Sequence, residues 1–338
     1  MKLIPFLKTA ALGALLAAGG LTVSAACGHC GDGAAAFAGS RWALTLPGGG
    51  IGWLGLTQNE RGGLDALLLW SGGHPRPAPV TLKDGALVLT REFKRGNQTF
   101  SDEIAAKIEN RDTLALTVRH LDAAGAEVRK PETFSGKRIP PLPPRPDLAK
   151  VKFGAPVRLI GDTLDNWAVM NSKAYNGWTL KDGVLSNRVT QPDGTKKHGA
   201  NLRTKAADFE DFRISFEVNM PPKSNSGVYL RGIYEIQMAD THDQPPGYLN
   251  MGALYGRIAP SAAVEKAPGE WQTVEATLVD RHLTVVLNGA TIIDNQPVLG
   301  CTGGALTSDE FAPGPVYLQG DHSDAHYRNM IVRPVLKE

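Results

Sequence analysis

Short runs of alternating apolar and polar residues, each closed by a turn signal, leave this chain little choice but to fold as β-sheet. Phe212, Ile214, Phe216, Val218 and Met220 alternate with Arg213, Ser215, Glu217 and Asn219. A strand there buries one face and wets the other. Asp182-Gly183 within 178–187, and Asn288-Gly289 between 283–287 and 290–293, are dipeptides that two-residue hairpin turns favour. Sustained helical periodicity is almost absent. The sequence therefore predicts an all-β chain, with a two-sheet sandwich over residues 153–338.

The earlier part reads as a smaller all-β domain over residues 36–138. Alternation predicts strands at 41–46, 51–56, 66–70, 80–83, 86–91 and 113–120, with Asp84-Gly85 as a tight turn. Such a meander closes as a small sandwich or barrel. Pro140, Pro141, Pro143, Pro144 and Pro146 then crowd residues 139–152. Repeated prolines favour an extended polyproline conformation, so this stretch is expected to be a semi-rigid spacer.

The N-terminus carries an export signal over residues 1–26. Lys2 and Lys8 precede an apolar run from Thr9 to Val23, shorter than the roughly 20 residues a spanning helix needs, and small residues follow as a cleavage site. The mature protein is expected to begin near Ala26 or Cys27 and to be periplasmic or extracellular. Lipoprotein anchoring through Cys27 is the alternative, although Ser24 stands where a lipobox carries Leu or Val. Cys27-Gly28-His29-Cys30 has the spacing of a redox pair, but Gly31-Asp32-Gly33 follows where that chemistry wants a helix, so a loop or tether is expected. Cys301, the third cysteine, is expected to be buried. The net charge of +2 is spread evenly, which disfavours nucleic acid as a partner.

Chemistry-bearing residues concentrate between 227 and 238. Read as one strand, this run sends Val228, Leu230, Tyr234, Ile236 and Met238 to the core and places Tyr229, Arg231, Glu235 and Gln237 on the opposite face, where neighbouring side chains lie roughly 7 Å apart. Gly252, Gly256 and the intervening Tyr255 form a loop of the kind that borders a cleft. Gln319-Gly320-Asp321-His322 ends a further apolar strand with an amide, an acid and an imidazole, the side chain suited to proton transfer near neutral pH. No phosphate loop, dinucleotide fingerprint or nucleophile elbow is present: Gly48-Gly49-Gly50-Ile51-Gly52 lacks the spacing.

These residues, together with Asn201-Leu202-Arg203-Thr204, Asn225-Ser226-Gly227-Val228-Tyr229-Leu230-Arg231-Gly232, Gly269-Glu270-Trp271-Gln272 and Tyr327-Arg328-Asn329, resemble the 3-keto-disaccharide hydrolase domain family over about 157–335. The resemblance implies a concanavalin A-like jelly roll with a concave ligand-binding sheet. In one departure, many members read Gln-Asp-His where this chain places Gly320 before Asp321. The implied substrate is a sugar or glycoside bearing a ketone at C3, supplied by a separate dehydrogenase. The ketone acidifies the C2 proton; a base removes it, the enolate expels the C1 substituent, and water can add back to complete a net hydrolysis. On this reading Arg231 stabilises the enolate and Glu235 and His322 serve as base and acid in either order. Glu217, Tyr229, Gln237, Tyr255, Gln319 and Asp321 bind substrate. No cofactor is required by the sequence, although a divalent metal at Glu235, Asp321 and His322 would serve the enolate equally well. Two alternatives stay open: a non-catalytic carbohydrate-binding module with Trp167, Tyr175 and Trp178 as platforms, and a conventional two-carboxylate glycoside hydrolase in which Glu217 joins Glu235.

Overall fold

A computed structural model of the chain describes residues 30–337. The expected export signal and Cys27 lie outside the described residues, as does any pairing of Cys27. Where a loop is expected after Cys30, a short helix α1 (Cys30–Phe37) forms. Ala34, Ala35 and Ala36 are the best helix formers and outweigh Gly31 and Gly33, and Phe37 anchors the helix end in the first core.

Nine strands follow: β1 (Arg41–Thr45), β2 (Ile51–Gln58), β3 (Leu64–Trp70), β4 (Arg76–Ala78), β5 (Val80–Lys83), β6 (Ala86–Arg95), β7 (Gln98–Asn110), β8 (Thr113–Asp122) and β9 (Glu127–Arg138). They form one antiparallel sheet in the order β4-β3-β2-β1-β9-β8-β7-β6-β5. Because β4 and β5 are joined only by Pro79, the two ends of the sheet meet and it curls into a nearly closed barrel. Trp42, Leu44, Leu54, Leu87, Leu89, Ile104 and Leu114 fill it. Strands β4, β7 and β9 are not among those the alternation predicts. Strand β9 carries Pro131, which a central strand normally excludes. It is tolerated because β1 pairs only with residues 135–138 of β9, and the register against β8 shifts between Glu132 and Arg129.

Residues 139–152 contain no strand and close a turn at Asp147–Lys150, and they do not hold two bodies apart. Arg281 donates to the carbonyls of Pro140 (3.3 Å) and Pro141 (2.9 Å), and Asn295 donates to that of Pro146 (2.9 Å). Ala43, Trp53 and Leu69 form a cross-strand row on the outside of the barrel and join Ile139 in the hydrophobic core of the second domain. Arg257 stacks over the Trp53 ring at 4.1 Å.

The second domain contains β10 (Val157–Arg158), β11 (Trp167–Val169), β12 (Trp178–Lys181), β13 (Val184–Asn187), β14 (Leu202–Thr204), β15 (Phe212–Asn219), β16 (Asn225–Leu230), β17 (Tyr234–Ala239), β18 (Trp271–Val279), β19 (His282–Leu287), β20 (Ala290–Pro297), β21 (Tyr317–Leu318) and β22 (Ala325–Pro334). An eight-stranded sheet runs β12-β13-β22-β15-β18-β19-β20, with β10 beside β22. A five-stranded sheet runs β11-β14-β21-β16-β17. Phe212, Ile214, Phe216 and Val218 of the larger sheet pack between the layers against Val228, Leu230, Ile236, Met238 and Leu318 of the smaller. Full burial of each such side chain contributes about 1.5–3 kcal/mol. Each of the three expected Asp-Gly and Asn-Gly turns joins two paired strands, with both turn residues at positive φ. Trp167 and Trp178 lie in this core and donate their indole N–H groups to the Leu159 and Ala200 carbonyls. They offer no stacking platform, whereas Tyr175 is exposed.

Candidate active site

The run 227–238 is a hairpin rather than one strand. Leu230 pairs with Tyr234, and the Ile233 N–H closes a tight turn onto the Leu230 carbonyl at 3.1 Å. Cross-strand partners share a face, so the expected parity survives for every residue except Arg231, which opens the turn at φ +55°. Its guanidinium is buried and donates to the carbonyls of Glu310 (2.7 Å) and Ala312 (2.6 Å). It lies near Tyr234 on the core side, with its centre 6.0 Å from that ring. The structure thus corrects the expectation that Arg231 shares the face of Glu235.

Glu217 is also placed elsewhere. It stands on the outer face of β15 in the larger sheet, where Arg328 (2.6 and 3.0 Å) and Asn329 (2.6 Å) donate to its carboxylate. The Arg328 hydrogen bonds, with that of Asn329, hold its carboxyl below the usual range. It belongs to the other sheet from Glu235, so the carboxylate pair that the alternative glycoside-hydrolase reading needs does not form.

What the tertiary structure assembles instead is a row across the smaller sheet. The register places Ala168 opposite Arg203, Arg203 opposite Tyr317, Tyr317 opposite Tyr229 and Tyr229 opposite Glu235. The rings of Tyr229 and Tyr317 stack with centroids 3.8 Å apart and 13° between planes. Gln237 lies on the same face opposite Gly227, and the Gln319 N–H donates to the Gly227 carbonyl. The side-chain oxygens of Gln237 and Gln319 are buried without a partner.

The Glu235 carboxyl folds over Gly227. A β-carbon at that position would lie 2.3 Å from Glu235 Oε1, so only glycine leaves the space. Burial pushes the Glu235 pKa up from 4.5 to about 8, against the hydrogen bond from Tyr229 and the positive influence of His322. In the bend after β21, His322 Nδ1 is hydrogen-bonded to Asp321 Oδ1. That bond raises the imidazole pKa, with smaller contributions from the charges of Asp321 and Glu235. Glu235, Asp321 and His322 are therefore close enough to feel one another. Among the described residues, no group of three or more His, Cys, Asp or Glu side chains is arranged to hold a metal ion.

One segment grips the row from outside the sheet. Thr302 Oγ1 accepts from the Glu235 N–H (3.0 Å), the Gly303 carbonyl lies 2.8 Å from the Tyr229 hydroxyl, and the Gly304 carbonyl accepts from Tyr317 (3.1 Å). On the other flank, the Tyr255 N–H donates to the Glu235 carbonyl at 3.0 Å. Sequence reasoning missed Arg203, Tyr317 and residues 302–304. Tyr317 was within reach, because it has the same parity as Gln319. Adjacent Cys301 is buried as expected, and burial pushes its thiol pKa up to about 12.

A jelly-roll sandwich that presents stacked tyrosines, amides, an Arg and a perturbed acid on one sheet belongs to the carbohydrate-active class. The chain belongs to the 3-keto-alpha-glucoside-1,2-lyase-like domain family, whose model matches residues 156–333, more than half its length. Among solved structures it is similar to a candidate glycosyl hydrolase from Parabacteroides distasonis, with 25% identity, 54% of this chain and 100% of that chain covered, and a TM-score of 0.40. A second candidate glycosyl hydrolase from the same organism shows 16% identity over 54% of this chain and 94% of that one, with a TM-score of 0.40. A carbohydrate-binding module from Bacillus subtilis shows 11% identity over 49% and 93%, with a TM-score of 0.34. No curated protein matches the chain.

Proposed function

We propose that this protein is exported and cleaves 3-keto-glycosides by removing the C2 proton and eliminating the C1 substituent. The observation that carries the reading is a buried Glu235, its pKa pushed up to about 8, within electrostatic reach of a hydrogen-bonded Asp321–His322 pair. Asp321 holds His322 through Nδ1 and leaves Nε2 to accept a proton. His322 takes the proton from C2 and the electron pair moves through a C2–C3 double bond onto the C3 oxygen as an enolate; as the ketone re-forms, the C1–C2 double bond appears, the C1–O bond breaks and Glu235 donates a proton to the departing oxygen. Addition of water across that double bond gives the free 3-keto sugar.

With Arg231 committed to backbone carbonyls, the cation available to the enolate oxygen is Arg203, on the row itself. The stacked rings of Tyr229 and Tyr317 are buried and brace Glu235 through the Tyr229 hydroxyl, and the amides of Gln237 and Gln319 orient the hydroxyls of the sugar. These proton transfers involve no metal, so turnover is expected to survive treatment with a chelator. An enzyme that oxidises the sugar at C3 must act first, since this mechanism has no purchase on the parent glycoside.

The test is cleavage in deuterated water. The protein should act on a 3-keto-glycoside without nicotinamide, leave the parent glycoside intact and deliver deuterium to C2 of the released sugar. Cleavage without deuterium at C2 means direct displacement at C1 and defeats the elimination. Binding without turnover points to the binding-module reading. N-terminal sequencing of the protein recovered from outside the cytoplasm should begin near Ala26 or Cys27.

A further inference from the structure

We infer that the first domain completes this active site, with the segment Ser71 to Arg76 forming a wall that contacts the leaving-group side of the substrate. The inference rests on the function proposed above. This segment touches both flanks of the Glu235 row. On one side its Gly73 lies backbone to backbone with Gly303, so tightly that a β-carbon on Gly303 would come 1.9 Å from the Gly73 carbonyl oxygen. Gly303 is the residue whose carbonyl meets the Tyr229 hydroxyl. On the other side His74 packs on Gly256, where a β-carbon would come 2.2 Å from His74 Cβ. Gly256 follows Tyr255, whose N–H is bonded to the Glu235 carbonyl.

Between the domains lies a cavity of about 640 Å³, lined in part by His74, Pro75, Tyr248, Leu249, Asn250 and Gly256. That volume is within the range of small-ligand sites. The cavity adjoins the row, because the Leu249 carbonyl accepts from Gln237 Nε2 at 3.3 Å. Tyr248 is 59% exposed and offers an aromatic surface to an incoming ring. The Arg76 side chain is exposed and makes no hydrogen bond or ion pair among the described residues, so its donors are free for a ligand. It is close enough to Tyr255 to influence that phenol, which also feels Glu235 and whose pKa is raised chiefly by burial. Tyr255 thus has within its reach both Glu235, to whose carbonyl its N–H is bonded, and Arg76 of the first domain.

The experiment compares two substrates with the same 3-keto-glucosyl unit, one a methyl glycoside and the other bearing a second sugar as leaving group. Arg76→Ala and His74→Ala should each lower the kcat/KM ratio of the larger to the smaller substrate about tenfold, the effect of losing one good hydrogen bond to a charged group. The change should lie in KM, and Arg76→Lys should restore part of it. Equal losses on both substrates, or no loss on either, overturn the inference while leaving the proposed function intact. Calorimetric binding of the parent, non-oxidised glucosyl glycosides provides a second measurement. If the wild type cleaves neither keto substrate but binds the larger parent glycoside more weakly after Arg76→Ala, the inference stands and the elimination mechanism falls. If it neither cleaves nor binds any of them, both fall.

Discussion

The hydroxyl of Tyr229 lies 2.8 Å from Glu235 Oε2 and 2.8 Å from the carbonyl oxygen of Gly303, and it has one proton to give. When Glu235 is ionised that proton serves the carboxylate. When Glu235 is protonated the carboxyl can donate to Tyr229, which turns to Gly303. The charged bond is the stronger, so Tyr229 restrains the rise in the Glu235 pKa that burial imposes. Tyr229→Phe should push that pKa further above 8, visible as an upward move of the alkaline limb of the pH–rate profile. A limb that stays in place or moves down contradicts this account.

The pair of proposed proton-transfer groups sets a narrow working range. Activity should rise as His322 loses its proton, above the ordinary 6.5 because of Asp321, and fall as Glu235 ionises near 8. Asp321→Asn removes the main cause of the raised imidazole pKa, so the rising limb should move to lower pH. His322→Ala and Glu235→Gln should each reduce turnover by roughly 10²–10⁴-fold, measured under single-turnover conditions.

Glu235 also makes the fold pH-sensitive. Its folded pKa is raised, so below its ordinary value of 4.5 both folded and unfolded states are protonated and no penalty applies; stability then falls as pH rises from 4.5 to about 8. Glu235→Gln removes this penalty and should stabilise the protein at pH 7 by up to roughly 3 kcal/mol. Thermal unfolding at several pH values measures it: the gain in Tm should grow from pH 5 to pH 8, and a pH-independent gain excludes linkage to this carboxyl.

Gly227→Ala tests the seating of that carboxyl. The added methyl overlaps Glu235 Oε1 at 2.3 Å, and a displacement of about 1 Å can cost on the order of 10²-fold in rate. Circular dichroism should remain native while turnover falls. Arg231→Lys should do the reverse, lowering Tm with a smaller effect on turnover, because the guanidinium bridges the Glu310 and Ala312 carbonyls rather than the substrate.

The two domains should unfold together. Trp53 stands on the barrel exterior and is buried in the second core, and Trp53→Ala should cost about 3–5 kcal/mol. Calorimetry of residues 30–338 should show one transition that this change lowers as a whole. Two separate transitions, with only one shifted, would mean the shared core does not couple the domains.

By itself the sequence determined the β class, the sandwich, the Asp-Gly and Asn-Gly hairpins and the alternation that buries Val228 and Ile236 while turning Tyr229, Glu235 and Gln237 to the other face. Each follows from local geometry: the pleat has a period of two, and a tight turn needs residues that accept positive φ. Tertiary structure decided what stands beside what. Arg203, Tyr317, Tyr229 and Glu235 come from four strands and align only through register, which no single strand encodes. Glu217 alternates as cleanly as Glu235 yet belongs to the other sheet, and Arg231 leaves its expected face because the chain turns at that residue. The contacts of residues 302–304 with the row, and of Gly73 and His74 with the loops beside it, join segments distant in sequence. Local patterning carries no record of such contacts; they exist because burying Trp53 and Leu69 draws the barrel onto the sandwich.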